Sequence, residues 1–262
     1  MKVTAALLFL MINLTTSPQY DGDKTTVNIT DNDYLQASID LISAQQRGES
    51  SDVYANIIES STQDELEEQL DTDAKKFAFW INVYNGYIQR VLSEHPEFYE
   101  NRRSFYKKKL IPVGGRVMTF SDIEHGIIRR TQFEYFLGYV MNPFAKRFKK
   151  KLRPKKEDFR VHFALNCGAK SCPPVRAYTA ENLETQIEDS TQKFLNKFSS
   201  YDEASNTVNT TALFSWFRGD FKGKKGTKKI LKRYGIIPST DVNLNYDKYD
   251  GTLYLNNYVE GA

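Results

Sequence analysis

The chain has 262 residues, 40% of them hydrophobic and 13% aromatic, so it can bury a core as one large domain or two small ones. Charged residues make up 26% of the chain, the formal net charge is +3 at pH 7 and the mean hydropathy is −0.56. These values are typical of a soluble globular protein and exclude disorder throughout the chain. Neither half differs enough in composition to mark a boundary, which favours a single domain.

Residues 1–20 are predicted to be a secretory signal peptide. Lys2 supplies a positive start, residues 3–14 form an apolar run, and small residues follow it. The run is shorter than the roughly 20 apolar residues that cross a bilayer. We therefore expect a secreted or periplasmic protein with no transmembrane span after signal removal, in which 21–33 is a linker and 34–262 a single globular domain.

Helices are predicted to dominate the first half of that domain. Apolar residues recur at helical spacing from 34 to 70, which predicts two or three short helices. A longer helix is predicted over 74–95, and Pro96 follows it. Its apolar stripe consists of Phe77, Ile81, Tyr84, Ile88 and Val91.

Asn82 and Asn85 lie in this predicted helix, close to Trp80. Asparagine is a poor helix former, so two of them within a helix need an explanation. Two interpretations stay open: a solvated face opposite the apolar stripe, or a buried amide pair that orients a histidine or binds a substrate carbonyl.

A β-hairpin and another helix are predicted next. Residues 109–121 contain two short β-prone runs about a Gly-Gly turn. They lead into a helix for which Ser121 is the predicted N-cap, with Glu124 as its capping-box partner. His125 then lies in the first turn, where the positive end of the helix dipole favours a neutral imidazole.

The rest of the chain is predicted to alternate between strands and helices. The alternation in 158–166 predicts a strand in which His162 faces away from Cys167. A helix opened by Thr179, two further helical segments and a terminal strand over 249–259 follow. The predicted fold class is therefore α+β, a mostly helical single domain with a small antiparallel or mixed sheet.

Both cysteines lie in RVHFALNCGAKSCPPVR, residues 160–176. In an exported protein Cys167 and Cys172 can form a disulfide, worth about 2 kcal/mol for so small a loop. Zinc needs about four ligands at recognisable spacing, and only His162 clusters with the thiols, so neither a metal nor another cofactor is expected. Alternatively, Cys167 is a nucleophile at the edge of a site.

A nucleophilic thiol needs a base and an oxyanion site. His95 precedes a proline at a predicted helix end and is interpreted as a surface residue, while His162 suits packing or hydrogen bonding. His125 is therefore the candidate base, and the backbone amides of 168–171 are the candidate oxyanion donors.

Five ordered motifs carry a resemblance to a known family. They are AFWINVYNGYIQ, FSDIEHGIIR, VHFALNCGAKSCPPVRAYTAENL, LFSWFRGDF and YDGTLYLNNY. Together they span about residues 60 to 258 and resemble the domain of unknown function 547 family. The resemblance implies signature positions at Trp80, Asn82, Asn85, Glu124, His125, His162 and Cys167. It also implies that a cysteine at 172 is often absent, and that Gly251 stands where the family has a tryptophan.

Two functions stay open. In the first, a cysteine-dependent hydrolase or acyl-transfer enzyme acts on a small-molecule or peptide substrate, with Cys167 as nucleophile, His125 as base and Asn82 or Asn85 as orienting amide. The predicted binding residues are Trp80, Asn85, Glu124 and His162. In the second, the protein is a non-catalytic ligand-binding or interaction module with a structural Cys167–Cys172 disulfide.

Two basic stretches, at 146–156 and 221–233, are interpreted as solvated surface, and contact with an anionic envelope polymer or phosphate groups is the alternative. No recognisable nucleic-acid-binding module is evident, so no nucleic-acid partner is expected.

Overall fold

Three short helices begin the described part of the chain, which in this computed structural model covers residues 33–133 and 136–260. They are α1 (Tyr34–Gln46), α2 (Asp52–Ser60) and α3 (Gln63–Gln69), and they confirm the helices predicted between 34 and 70. The predicted signal peptide lies outside the described residues, as does the predicted linker except for its last residue.

The long predicted helix is confirmed as α4 (Asp73–Glu94). Every residue from Lys76 to Gln89 is buried, so the helix has no solvated face along this stretch and that interpretation of its asparagines is wrong. Helix α1 packs closely against it at Gly86, where an added Cβ would lie 2.5 Å from a Leu41 methyl carbon. Helix α4 is therefore the central element around which the others are placed.

The predicted hairpin is also confirmed. A 3-10 helix (Pro96–Asn101) and α5 (Arg102–Phe105) lead to strands β1 (Ile111–Val113) and β2 (Arg116–Met118), which pair antiparallel about a turn at Gly114 and Gly115. Both turn glycines have positive φ, as a tight turn of this kind requires.

The helix after the hairpin differs from the prediction. It is a π-helix over Asp122–Ile128, and the Ser121 side chain makes no capping bond. The Thr119 hydroxyl instead accepts from the Asp122 N–H at 2.9 Å, and the Asp122 carboxylate accepts from the Thr119 N–H at 3.2 Å. The reciprocal capping interaction therefore forms two residues earlier than predicted.

The strand predicted over 158–166 is wrong. After α6 (Arg147–Leu152), the chain forms a 3-10 helix over Phe159–Phe163. Val161 joins one hydrophobic cluster and Phe163 the other, so the alternating apolar residues do not share a face. Because the segment is buried between two hydrophobic clusters, its apolar residues point to both of them, and their alternation does not indicate a strand.

The C-terminal half contains helices and a three-stranded sheet. Its elements are α7 (Leu183–Lys197), β3 (Ser199–Asp202), β4 (Thr207–Thr210), α8 (Leu213–Trp216), α9 (Gly223–Arg233) and β5 (Asn243–Tyr246). β3 and β4 are antiparallel and β4 and β5 parallel, so the sheet is mixed. The fold is the predicted mostly helical α+β domain.

The terminal strand predicted over 249–259 is also wrong. This segment makes isolated bridges, at Leu253 to Ala169 and at Tyr258 to Val175, because it lies along the cysteine loop rather than beside a strand. Within residues 33–133 and 136–260, no helix has the length and apolar character needed to cross a bilayer.

Candidate active site

Cys167 lies in the wall of an open cavity of about 400 Å³. Tyrosines and polar or charged residues line it together with Cys167, among them Tyr84, Arg102, Tyr106, Glu124, His162 and Tyr249. The cavity therefore brings together three of the sequence-predicted site residues: Cys167, Glu124 and His162. Because 159–163 is helical, His162 does not face away from Cys167 as the predicted strand required.

Two asparagines hold the cysteine loop in place. Asn85, fully buried on α4, donates to the Ala164 carbonyl at 2.9 Å and accepts from the Asn166 N–H at 2.7 Å. Asn166 accepts from the Gly168 N–H at 2.9 Å and donates to the Pro173 carbonyl at 2.7 Å. These bonds fix the backbone on both sides of the cysteines, so Asn85 acts on the loop rather than on a histidine.

The other two signature residues of α4 bind backbone elsewhere. Asn82 donates to the Tyr178 carbonyl at 2.8 Å and accepts from the Tyr178 N–H at 2.9 Å. Trp80 donates its indole N–H to the Leu152 carbonyl at 3.3 Å. Neither side chain lines the Cys167 cavity. The amide pair is buried, as one interpretation held, but both amides tie α4 to later segments of the chain.

The two cysteines are free thiols in contact, so the disulfide of the binding-module interpretation is not present in the structure. Their Sγ atoms lie 2.7 Å apart, and the Cys167 N–H donates to Cys172 Sγ at 3.0 Å. The hydrogen bond from the Cys172 thiol, with a second from the Tyr249 hydroxyl, lowers the pKa of Cys167 to about 7 against the opposing effect of burial. Burial raises the pKa of Cys172. Cys167 is therefore the thiol that ionises first.

Tyrosines surround the thiol pair as hydrogen-bond donors. The Tyr249 hydroxyl lies 3.1 Å from Cys172 Sγ and 3.5 Å from Cys167 Sγ, and Tyr106 donates to the Cys167 carbonyl at 2.8 Å. Burial raises the pKa of Tyr84, Tyr106 and Tyr249 well above the ordinary value. All three hydroxyls therefore keep their protons at neutral pH.

Three of the four loop amides predicted to form an oxyanion site bind groups of the protein instead, while the Ala169 amide is directed at the Cys167 sulfur. The N–H of Lys170 donates to the Thr252 carbonyl at 2.8 Å, and that of Ser171 to the Asp250 carbonyl at 3.1 Å. The Gly168 N–H is taken by Asn166, as described above. These amides hold the C-terminal segment against the loop, and this contact is what places Tyr249 beside the sulfurs.

His162 is fixed by a buried carboxylate. Its Nε2 lies 2.7 Å from Asp220 Oδ2, and its ring stacks on Phe217 with the centroids 4.2 Å apart. Burial opposes ionisation of Asp220, but hydrogen bonds from His162 and Arg129 lower its pKa to about 2. Burial lowers the pKa of His162, so the imidazole is neutral at pH 7 and donates its Nε2 proton to the carboxylate. Its Nδ1 is then the basic nitrogen.

His125 lines a different cavity, of about 330 Å³. Its Nδ1 accepts from Arg129 Nη1 at 2.6 Å, because a guanidinium can only donate. Arg129 also donates from Nε and Nη2 to Asp220, at 2.8 and 3.2 Å. His125 and His162 therefore belong to one polar chain but face different cavities. Glu124, between them, accepts from the Tyr84 hydroxyl at 3.2 Å and faces the Cys167 cavity.

The sequence-based selection missed Tyr84, Tyr106, Tyr249 and Asp220. Three of these residues lie inside the quoted motifs: Tyr84 in AFWINVYNGYIQ, Asp220 in LFSWFRGDF and Tyr249 in YDGTLYLNNY. The sequence signal that could have identified these three residues was therefore a polar or aromatic residue inside a quoted motif. In the described part of the chain, no three His, Cys, Asp or Glu side chains are grouped as metal ligands.

Comparison with known proteins gives one match. The family model described as "Protein of unknown function, DUF547" matches residues 62–195, about half of the chain. No curated protein and no solved structure matches. The matched range contains the cysteine loop, Glu124 and both cavity histidines.

Proposed function

Because this chain belongs to the DUF547 family, whose description names no activity, we propose a function from its cavity: cysteine-dependent hydrolysis or acyl transfer by an exported enzyme. Cys167 is the nucleophile and His162, held by Asp220, is the base. The observation that carries the proposal is the cavity that Cys167 shares with His162, whose ring is bound by Asp220.

The surroundings of Cys167 support the role of nucleophile. A thiol with a pKa of about 7 is substantially ionised at neutral pH, and the thiolate is the reactive form. Cys172 and Tyr249 supply hydrogen bonds that stabilise this thiolate. Cys172 is more deeply buried than Cys167 and is 2% exposed, which suits a donor rather than a second nucleophile.

His162 replaces His125 as the base in this proposal. A base needs an acceptor nitrogen, and in neutral His162 that nitrogen is Nδ1, because the Asp220 carboxylate binds Nε2. His162 also lines the same cavity as Cys167. In His125 the corresponding nitrogen is occupied by Arg129. The assignment of His125 as base therefore stays a prediction that this geometry does not favour.

The proposed chemistry follows from these roles. The Cys167 thiol gives its proton to His162 Nδ1 as Sγ adds to the carbonyl carbon of an ester, thioester or amide, and the bond to the leaving group breaks as that group takes this proton from His162. The acyl group is then held on Sγ as a thioester. Water or another nucleophile attacks the thioester carbonyl and gives its proton to His162, the bond between the acyl carbon and Sγ breaks, and His162 returns the proton to Sγ. Arg102, which lines the cavity, is the donor for the carbonyl oxygen.

The substrate class follows from the size and lining of the cavity. A volume of about 400 Å³ accommodates a small molecule or the side chains of a short peptide segment. Trp216 and Phe217 provide apolar surface, while Arg102 and Arg103 provide positive charge. We therefore expect an acyl compound with an apolar part and an anionic group, encountered outside the cytoplasm if residues 1–20 act as a signal peptide.

The proposal is tested by acylation with p-nitrophenyl acetate, followed by mass analysis of the peptides that contain each cysteine. We expect the acetyl group on Cys167 in the folded wild type, and a rate that rises with pH about a midpoint near 7. Cys172→Ala removes the main thiolate donor and should raise that midpoint. His162→Asn should slow acylation, whereas His125→Asn should not.

The same measurement on urea-unfolded chain provides the reference rate. If both cysteines of the folded protein acylate equally, and no faster than in the unfolded chain, Cys167 is not an activated nucleophile. The cysteine-dependent reaction is then abandoned, whatever the chain binds.

A further inference from the structure

Exposed apolar side chains are concentrated in one short segment, residues 136–144. Ten large hydrophobic residues are exposed in the described part of the chain, and six of them lie here. They are Phe136, Leu137, Tyr139, Val140, Met141 and Phe144, the last of them 88% exposed. Scattered single residues of this kind are normal, but a contiguous group marks an interaction surface. We name residues 136–144 the apolar loop.

Backbone hydrogen bonds tie the turn formed by the apolar loop to residues 131 and 133. The Phe133 N–H donates to the Val140 carbonyl at 2.9 Å, and the Asn142 N–H to the Thr131 carbonyl at 2.7 Å. The turn rests on the segment before α9, where the Gly219 N–H donates to the Leu137 carbonyl at 2.6 Å. The backbone is thus anchored at its base while the apolar side chains face outward.

A basic helix adjoins each side of the apolar loop. Lys150 of α6 donates to the Pro143 carbonyl at 3.2 Å, and Lys146 and Lys149 line the same cavity as Phe144. On the other side, a Cβ added at Gly223, the first residue of α9, would lie 3.6 Å from the Tyr139 hydroxyl.

Neither helix contains an acidic residue. Four lysines of α9 make no ion pair with any residue of the described ranges: Lys224, Lys225, Lys228 and Lys229. Both basic stretches of the sequence therefore border one apolar surface, and much of their charge is uncompensated.

We propose that the apolar loop, together with α6 and α9, docks this protein onto an anionic lipid bilayer. Aromatic and aliphatic side chains enter the boundary between headgroups and acyl chains, while lysines contact the anionic headgroups. A soluble anionic polymer would pair with the lysines but would leave the apolar side chains in water. The combination of both surfaces therefore favours a bilayer over the envelope polymer considered from the sequence.

Co-sedimentation of the full chain with lipid vesicles tests this proposal. We expect binding to vesicles of phosphatidylcholine and phosphatidylglycerol in equal parts, and little binding to phosphatidylcholine alone. The triple variant Phe136→Ser, Tyr139→Ser, Phe144→Ser should bind about tenfold more weakly, because it loses most of the inserted apolar area. A matched control carries serine at Val53, Val117 and Tyr254, which are exposed elsewhere.

A charge variant separates the two contributions. Lys224→Gln, Lys225→Gln, Lys228→Gln should reduce binding to the anionic vesicles and make the remaining binding less sensitive to salt. All variants keep residues 1–32, so any binding by that segment is common to them. Urea unfolding of each variant shows whether the fold is intact.

Insertion is measured with Phe144→Trp as a fluorescent reporter. Its emission should shift to shorter wavelength on anionic vesicles and be quenched by lipids with brominated acyl chains. The proposal is overturned if the reporter is not quenched, if the triple serine variant binds as wild type does, or if wild type binds soluble polyphosphate and vesicles equally well. These results bear on docking alone, because no residue that lines the Cys167 cavity is changed.

Discussion

His162 and His125 stand at the two ends of one polar chain whose middle members are Asp220 and Arg129. At the His162 end, the Asp220 carboxylate accepts a hydrogen bond from the Nε2–H group, so Nδ1 is the nitrogen that carries the lone pair. At the His125 end, a guanidinium donates to Nδ1 and occupies that lone pair. The same residue type therefore has Nδ1 as its basic nitrogen beside the thiol cavity, and has Nδ1 occupied by a guanidinium beside the other cavity. Two histidines in adjacent motifs need not share a function.

The largest effect is expected when the Asp220 carboxylate is removed, because His162 and Arg129 both bind it. Asp220→Ala leaves the guanidinium of Arg129, 2% exposed, without its buried partner. We expect the free energy of unfolding at neutral pH to fall by about 3–5 kcal/mol, as when one member of a buried ion pair is removed. Urea denaturation measures this. Asp241→Ala, at an exposed site, is the control, and a loss below about 1 kcal/mol would show that the chain of contacts contributes little.

The acid stability of the fold is the next test of this comparison. Asp220 has a pKa of about 2 when folded against an ordinary value of 3.8, so the stability it contributes is present above about pH 4 and is lost as pH falls toward 2. The loss corresponds to about 2 kcal/mol. Urea unfolding at a series of pH values should show this loss of stability in wild type and not in Asp220→Asn. The same loss in that variant would show that other carboxylates cause the acid sensitivity.

The two histidines are compared directly by alkylation of Cys167 with iodoacetamide. His162→Asn should slow the reaction at pH 7 about fivefold, the loss of thiolate expected when a thiol pKa of about 7 rises by one unit. His125→Asn should leave the rate within about twofold, because that ring faces the other cavity. Peptide mass analysis assigns the label to Cys167 or Cys172. The reverse order of effects would restore His125 as the base.

The smallest effect is expected at the rim of the thiol cavity. Arg102 lines it and is exposed, so it should favour an anionic reagent over a neutral one. Arg102→Leu should lower the ratio of iodoacetate to iodoacetamide rates by about threefold, consistent with one screened charge. Arg47→Leu, at the residue that follows α1 and pairs with Glu49, is the control. An unchanged ratio would remove the anionic group from the proposed substrate.

Local patterns were sufficient to predict several elements. The apolar residues of α4 and the Gly114–Gly115 turn identified a helix and a hairpin, because both depend on neighbouring residues. The strand predicted over 158–166 was wrong because Val161 and Phe163 enter different clusters, which no local pattern records.

The site depended still more on distant contacts. Tyr249 reaches Cys167 across 82 positions, and Asp220 reaches His162 across 58. The sequence could nominate Cys167 from its motif, but the partner of each site residue is set by packing. Residues 159–163 form a 3-10 helix and not the predicted strand. His162 therefore lines the thiol cavity, whereas the sequence had indicated only a packing or hydrogen-bonding role.

The hydrogen bonds between Asn85 and the cysteine loop have a consequence for the order of folding. Asn85 and Asn166 are separated by 81 positions, and Asn82 and Tyr178 by 96. Loops of this length must close before the bonds can form, and their closure costs chain entropy in advance. The cysteine loop is therefore shaped only after α4 has met the C-terminal half. Until then both thiols are ordinary and accessible, so pulse alkylation during refolding would time the assembly of the cavity.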